Sequence, residues 1–215
     1  RQLFLKNTLF EHGVLGDEES ILNLKYDDVI LEYKKLFDKT RITFIVSGGI
    51  SIEELITQLN TLSFLSGNDF VPNNNTQIVK RDKDILSTFF DAPQTYICLG
   101  VPSPKYFSKE ILHLNLLGQI LAGGRASRLT KILRYQKGLI YGVSFTRYGG
   151  EQLGAWGITT DTSSDKVQEV IDEIIKEIKN IQASGIKESE LEFVKNRRIK
   201  SQKRNMQTSS DWINF

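Results

Sequence analysis

The sequence predicts an α+β fold: a two-layer sandwich in which helices pack on one face of a mostly antiparallel sheet. Three observations carry that expectation. The strand-like runs 140–147 and 152–160 flank Gly149-Gly150, the pattern of an antiparallel pair. Helical patterns follow one another in pairs instead of alternating with strands, which argues against a doubly wound parallel sheet. Residues 165–182 put Val167, Val170, Ile171, Ile174, Ile175, Ile178 and Ile181 on one stripe, as expected of a helix with one side on a core and the other in water.

The remaining elements follow in order. Residues 18–37 read as a helix with Val29, Ile30, Tyr33, Leu36 and Phe37 on one face. RITFIVS (41–47) has the β-branched and aromatic content of a strand and is closed by Gly48 and Gly49. Ser51 with Glu54 forms a capping box that opens a helix through Leu55, Ile56, Leu59 and Leu62. The polar stretch SGNDFVPNNNT (66–76) is the expected linker. Residues 77–100 hold two or three strands, the last of which, QTYICLGV, is apolar enough to be central. Ser108 is expected to cap a helix running to about Ala122, and a shorter helix follows at 126–136. Gly185 ends the isoleucine-striped helix, and a basic helix over 188–206 completes the chain. The domain reading is a tail of one unit (1–65), a linker (66–76) and most of a second unit (77–215).

At 215 residues the chain is long enough to bury a substantial core. Its 40% hydrophobic and 25% charged residues exclude a disordered or fibrous class. A net charge of +2 gives no global pull toward nucleic acid, membrane or a strongly acidic partner. Cys98 stands alone in an apolar run, so no internal disulfide forms and a small core residue is expected there. No window is apolar for long enough to span a bilayer, and a soluble protein of unassigned compartment, cytoplasmic or periplasmic if bacterial, is expected. The start opens in mid-pattern and the end stops without a capping signal, so the expectation is a domain cut from a longer chain.

The segment LAGGRASRLTKILRYQKGLIYGV (121–143) holds the candidate functional residues. Arg128 and Arg134 fall in a helix bounded by Gly123-Gly124 and Gly138. Tyr141 is expected as the second residue of a strand, with Tyr141, Val143 and Phe145 on one face. A guanidinium offers a fork of donors to a carbonyl or carboxylate, and a phenol can donate to a developing oxyanion. Spacing alone favours the plainer reading of a surface arginine and a sheet tyrosine.

A resemblance alters that balance. GGRASRLTKILRYQKGLIYGV resembles the C-terminal-domain signature of the pitrilysin/insulinase-type (inverzincin) zinc peptidases, which include the mitochondrial processing peptidases. That signature is a glycine pair, Ser-Arg-Leu, Leu-Arg, Gly-Leu and a tyrosine. GDEESI (16–21), ITFIVSGGISIEELI (42–56), DAPQTYICLGVPSP (91–104) and GIKESELEFVKN (185–196) resemble further family segments in the same order. The resemblance implies a LuxS/processing-peptidase-like half, the "inactive" C-terminal domain, with residues 1–65 either the tail of a preceding homologous half or the start of that domain. It implies that Arg134 and Tyr141 are the substrate-binding pair. One position departs from the pattern: an acidic residue usually follows the arginine, and here Tyr135 does.

Members of that family bind zinc through His-x-x-Glu-His on a helix, the glutamate acting as general base. Here the histidines are His12 and His113, and TLFEH (8–12) has Thr8 where the first ligand belongs, a near miss best taken as chance. His113 lies among leucines and reads as a core-edge or surface residue. This chain is therefore expected to bind no metal and to be inactive alone, with zinc on a partner domain in cis or a partner subunit in trans. Peptide is the expected substrate, and a homo- or hetero-dimer is compatible with that reading. The alternative is a non-catalytic structural or substrate-recruiting subunit. The run KNRRIKSQKR (195–204), six cations in ten residues, reads as a solvated helix face, because Glu188, Glu190 and Glu192 dilute it and no aromatic-lined groove accompanies it. No nucleic-acid partner is expected.

Overall fold

In a computed structural model, residues 13, 15–36, 42–62, 85–89, 91–105, 108–149 and 154–213 are described. They fall into two compact units. One is built from Asn75–Arg197 with Arg1–Gly13, the other from Val14–Asn74 with Arg198–Phe215, each over its described residues. The expected linker (66–76), the TLFEH motif (8–12) and residues 77–84 lie outside the described residues.

In the second of these units the helix expected over 18–37 divides into α1 (Glu18–Leu22) and α2 (Tyr26–Leu36). Local capping chemistry makes the break. Asp17 and Ser20 form a reciprocal capping box at the start of α1, and Asn23 closes that helix. Asp28 then accepts from the Lys25 backbone N–H at 3.2 Å and starts a new turn. Ser51 accepts from Glu54 N–H at 3.1 Å and opens α3 (Ile52–Leu59), which ends at Asn60, short of the expected Leu62. Residues 42–47 join no ladder, because strand propensity needs a hydrogen-bonding neighbour and no described residue supplies one. The chain ends its described part in α7 (Ser209–Ile213).

The larger unit carries an antiparallel three-stranded sheet of β1 (Thr95–Ser103), β2 (Val143–Gly149) and β3 (Gly154–Thr162) in the order β1-β3-β2. The β2–β3 pairing matches the expected hairpin, with Gly149 opposite Gly154. The order corrects one expectation. β1 was expected to be central, yet β3 lies between the other two among the described residues. The apolar character of β1 serves one face only: Ile97 is buried and Leu99 packs on the core, while Tyr96 and Cys98 are exposed. Cys98 is therefore a surface thiol, not the small core residue expected, since strand alternation turns it away from Ile97.

Helices cover the Ile97 face: α4 (Glu110–Ala122), a π-helix (Thr130–Gln136) and α5 (Val167–Ser184). α6 (Glu188–Arg204), whose residues up to Arg197 belong to this unit, bonds through Glu190 and Arg197 to the segment between α4 and the π-helix. One core joins Ile97, Trp156 and Ile158 of the sheet to Leu121, Ala122, Leu129, Leu133, Val170 and Ile174 of the helices. The α5 stripe follows its pattern: Val170 and Ile174 are fully buried, Ile171, Ile178 and Ile181 border the core, and Ile175 is 38% exposed. Close approach of α4 to the sheet depends on Gly118, where a Cβ would stand 2.7 Å from the Phe145 ring. Ser108 does not cap α4. Lys109 occupies the N-cap position, and the first turn closes instead through Ile111 N–H to Ser108 O and Leu112 N–H to Lys109 O.

Candidate functional site

Arg134 and Tyr141 meet across the turn that follows the π-helix. Leu129 and Leu133, one turn apart and fully buried, anchor the helix to the core and leave Arg134 at its edge. The widened turn ends with Lys137 N–H on Ile132 O at 3.0 Å and Leu139 N–H on Leu133 O at 2.8 Å. Between them Gly138 takes φ +64°, a left-handed conformation that an L side chain adopts only at a cost. The chain thereby reverses, buries Leu139 and Ile140, and returns Tyr141 to the side of Arg134. The guanidinium carbon of Arg134 lies 4.7 Å from the centroid of the Tyr141 ring and 5.6 Å from that of Tyr135, both within cation–π range.

Tyr141 does not belong to the strand, as had been expected. It sits in a bend two residues before β2 and is 77% exposed, whereas Val143 and Phe145 pack on the core. Threonine hydroxyls of β3 hold this segment before the ladder begins. Thr162 Oγ1 donates to Leu139 O and Thr160 Oγ1 to Gly142 O, each at 2.7 Å, so the backbone on both sides of Tyr141 is pinned to the central strand. Neither threonine stands out in the sequence, where each is one more β-branched strand residue. Only the distance from Gly142 to Thr160 in the fold gives it a role.

Arg128, in the same segment, does something different. Its Nε and Nη2 form a fork on the Glu190 carboxylate at 2.8 and 2.6 Å, and Nη1 donates to Glu177 at 2.9 Å. Glu190 also accepts from Lys187 N–H at 2.9 Å, capping the start of α6. The fork ties the π-helix to the turn between α5 and α6. Hydrogen bonds from Arg128 outweigh the cost of burial and hold the Glu190 carboxyl down at about 2, while the same bonds raise the guanidinium of Arg128 above its ordinary value. Lys137 is held in its charged form by Glu169 first and Glu173 second, at 2.9 and 3.1 Å, which fixes the Gly138 turn to α5. Ser127 of the Ser-Arg-Leu triplet is buried, donates its hydroxyl to Gly124 O and is hydrogen-bonded to Thr130 Oγ1, so that triplet is architectural throughout.

Among the described residues no three His, Cys, Asp or Glu side chains gather where they could hold a metal ion. His113 is exposed on α4, and His12 lies outside the described residues. The described part of the chain does not fit a zinc site. No described helix is long and apolar enough to cross a membrane.

Comparison gives this helix-covered antiparallel half a family. Residues 23–198 match the family described as the peptidase M16 inactive domain, and the chain belongs to it. Among its relatives, it is 27% identical over 146 residues to a Helicobacter pylori protein called non-peptidase homolog YmxG, covering 66% of this chain and 33% of that one. It is 24% identical over 187 residues to a Bacillus subtilis protein called uncharacterized zinc protease YmxG, covering 84% and 44%. The crystal structure of a peptidase M16 inactive domain from Pseudomonas fluorescens shares the fold at a TM-score of 0.86 and 18% identity, over 99% of this chain and 51% of that one. The chain thus spans a third to about half the length of these proteins.

Proposed function

We propose that this chain is the non-zinc-binding half of a clam-shell metallopeptidase, one that positions peptide for hydrolysis at a centre on another domain or subunit. Membership of the inactive-domain family supports the reading, and the observation that carries it is the contact of Arg134 with Tyr141. Both side chains are offered at an edge, on a backbone pinned by Thr160 and Thr162. In this reading Arg134 donates to a substrate backbone carbonyl. The phenol of Tyr141 donates to the oxyanion that develops at the scissile carbonyl, where a preorganised donor is worth more than in water. The partner carrying His-x-x-Glu-His, in cis or in trans, supplies the metal.

The test is reconstitution. The chain alone should leave a quenched fluorescent peptide uncut, and the full-length gene product with its His-x-x-Glu-His partner should cut it. Arg134→Ala or Tyr141→Phe in that complex should lower kcat by about a hundredfold, the scale of losing one oxyanion donor. Unchanged kcat in both variants refutes the assigned roles.

A second reading, a structural or substrate-recruiting subunit without catalysis, is favoured by one observation: the Helicobacter pylori relative is called a non-peptidase homolog. Absence of His-x-x-Glu-His both upstream of residue 1 and in the neighbouring gene would decide for it.

A further inference from the structure

We infer that Arg134, with Tyr135 and Tyr141, forms a receptor for a peptide carboxylate, so that the substrates best held here carry an anionic group at the residue meeting this edge. The inference rests on the peptide-binding reading above and names the substrate class for it. Cations in the same unit differ in what surrounds them. Arg128 is neutralised by Glu190 and Glu177, Lys137 by Glu169 and Glu173, and Arg197 donates to Gly123 O. Arg134 has no hydrogen bond or ion pair with any described residue, and its contacts of note are the two tyrosine rings.

Ring faces hold a guanidinium without occupying it. The attraction is between the ring quadrupole and the face of the cation, so the five N–H donors in the guanidinium plane stay available. A backbone carbonyl accepts from one or two of them. With a backbone carbonyl held as in the reading above, a further parallel pair of donors remains for a carboxylate, which also cancels the charge of an unneutralised fork. Tyr135 contributes a second ring face and no carboxylate. A phenol ring at 5.6 Å orients Arg134 and leaves its charge for the ligand. Tyr135 and Tyr141 are 55% and 77% exposed, so an extended peptide reaches the pair without displacing core residues.

A carboxylate can come from the peptide C-terminus or from an Asp or Glu side chain, and the experiment separates them. Three fluorescein-labelled peptides of one sequence are titrated by anisotropy into the full-length gene product with its partner. One has a free C-terminal acid, one is C-terminally amidated, and one is amidated with a single central Gln→Glu change. The expected result is that at least one carboxylate peptide binds about tenfold tighter than the neutral amide, with the gap shrinking as salt is raised. The acid peptide gaining assigns the C-terminus, and the Glu peptide gaining assigns the side chain. Tyr135→Phe should keep the gap, while Tyr135→Glu should close it by pairing with Arg134. Circular dichroism of both variants checks the fold. Equal binding of all three peptides, or a gap that survives Arg134→Ala, overturns the carboxylate receptor and leaves peptide binding standing. No binding by any peptide overturns both.

Discussion

Two arginines in one short segment have opposite fates. Arg128 is drawn into the fold by carboxylates 49 and 62 residues away in sequence, and its charge closes a clamp. Arg134, less than two turns further on, meets only ring faces among the described residues and keeps its charge at an edge. The same residue type becomes scaffold where carboxylates converge on it and stays unneutralised among the described residues where none does.

The widest gap between the two should appear in stability. Arg128→Ala strands Glu177, which is 8% exposed, and should cost about 3–5 kcal/mol in urea unfolding. Arg134→Ala removes a half-buried side chain that holds no described carboxylate and should cost about 1 kcal/mol or less. A comparable loss in both would erase the distinction. Conversely, the loss of turnover expected of Arg134→Ala and Tyr141→Phe should come without loss of fold.

Acid should sharpen the contrast. The folded Glu190 carboxyl titrates at about 2 against an ordinary 4.5. Because the folded value is the lower one, the stabilisation is complete above the unfolded value and is lost as pH falls from there toward 2. A lowering of this size corresponds to about 3 kcal/mol, in order of magnitude. Unfolding free energy followed from about pH 6 downward should show this slope in the wild type and a flatter one in Glu190→Gln. Equal slopes would mean that Arg128 does not hold Glu190 as described.

The smallest effect concerns the pins behind Tyr141. Thr162→Val removes the hydroxyl that satisfies the buried Leu139 carbonyl and should cost about 1–2 kcal/mol, whereas Thr162→Ser should retain most of it. If the pin positions Tyr141, Val should also lower kcat in the reconstituted complex, and that loss should vanish in a Tyr141→Phe background. Additive losses would make Thr162 a packing residue only.

Much of this was legible in the sequence where the information is local. The α5 stripe, the β2–β3 hairpin and the Ser51 cap each depend on residues within a turn or a strand of one another, and each is present, with strand bounds shifted by two or three residues and with the Ser51 half of the expected capping box. The family signature likewise marked the segment that holds the Arg134–Tyr141 pair. What was misread depended on partners elsewhere. Residues 42–47 have strand composition and no described ladder partner, and Cys98 sits in an apolar run on the face of β1 turned from the helices. Tyr141 was counted into β2 because hydropathy alternation ignores the hydroxyls of Thr160 and Thr162, which hold the chain before the ladder starts.

The sequence by itself determined an α+β half-sandwich, its family, and two residues to watch. Only the tertiary structure decided which arginine is committed to the scaffold, and that Tyr135 joins Tyr141 beside the other. The reason is physical: periodicity and capping act over a few residues, while neutralisation of a charge depends on which distant carboxylates the fold brings within hydrogen-bonding distance.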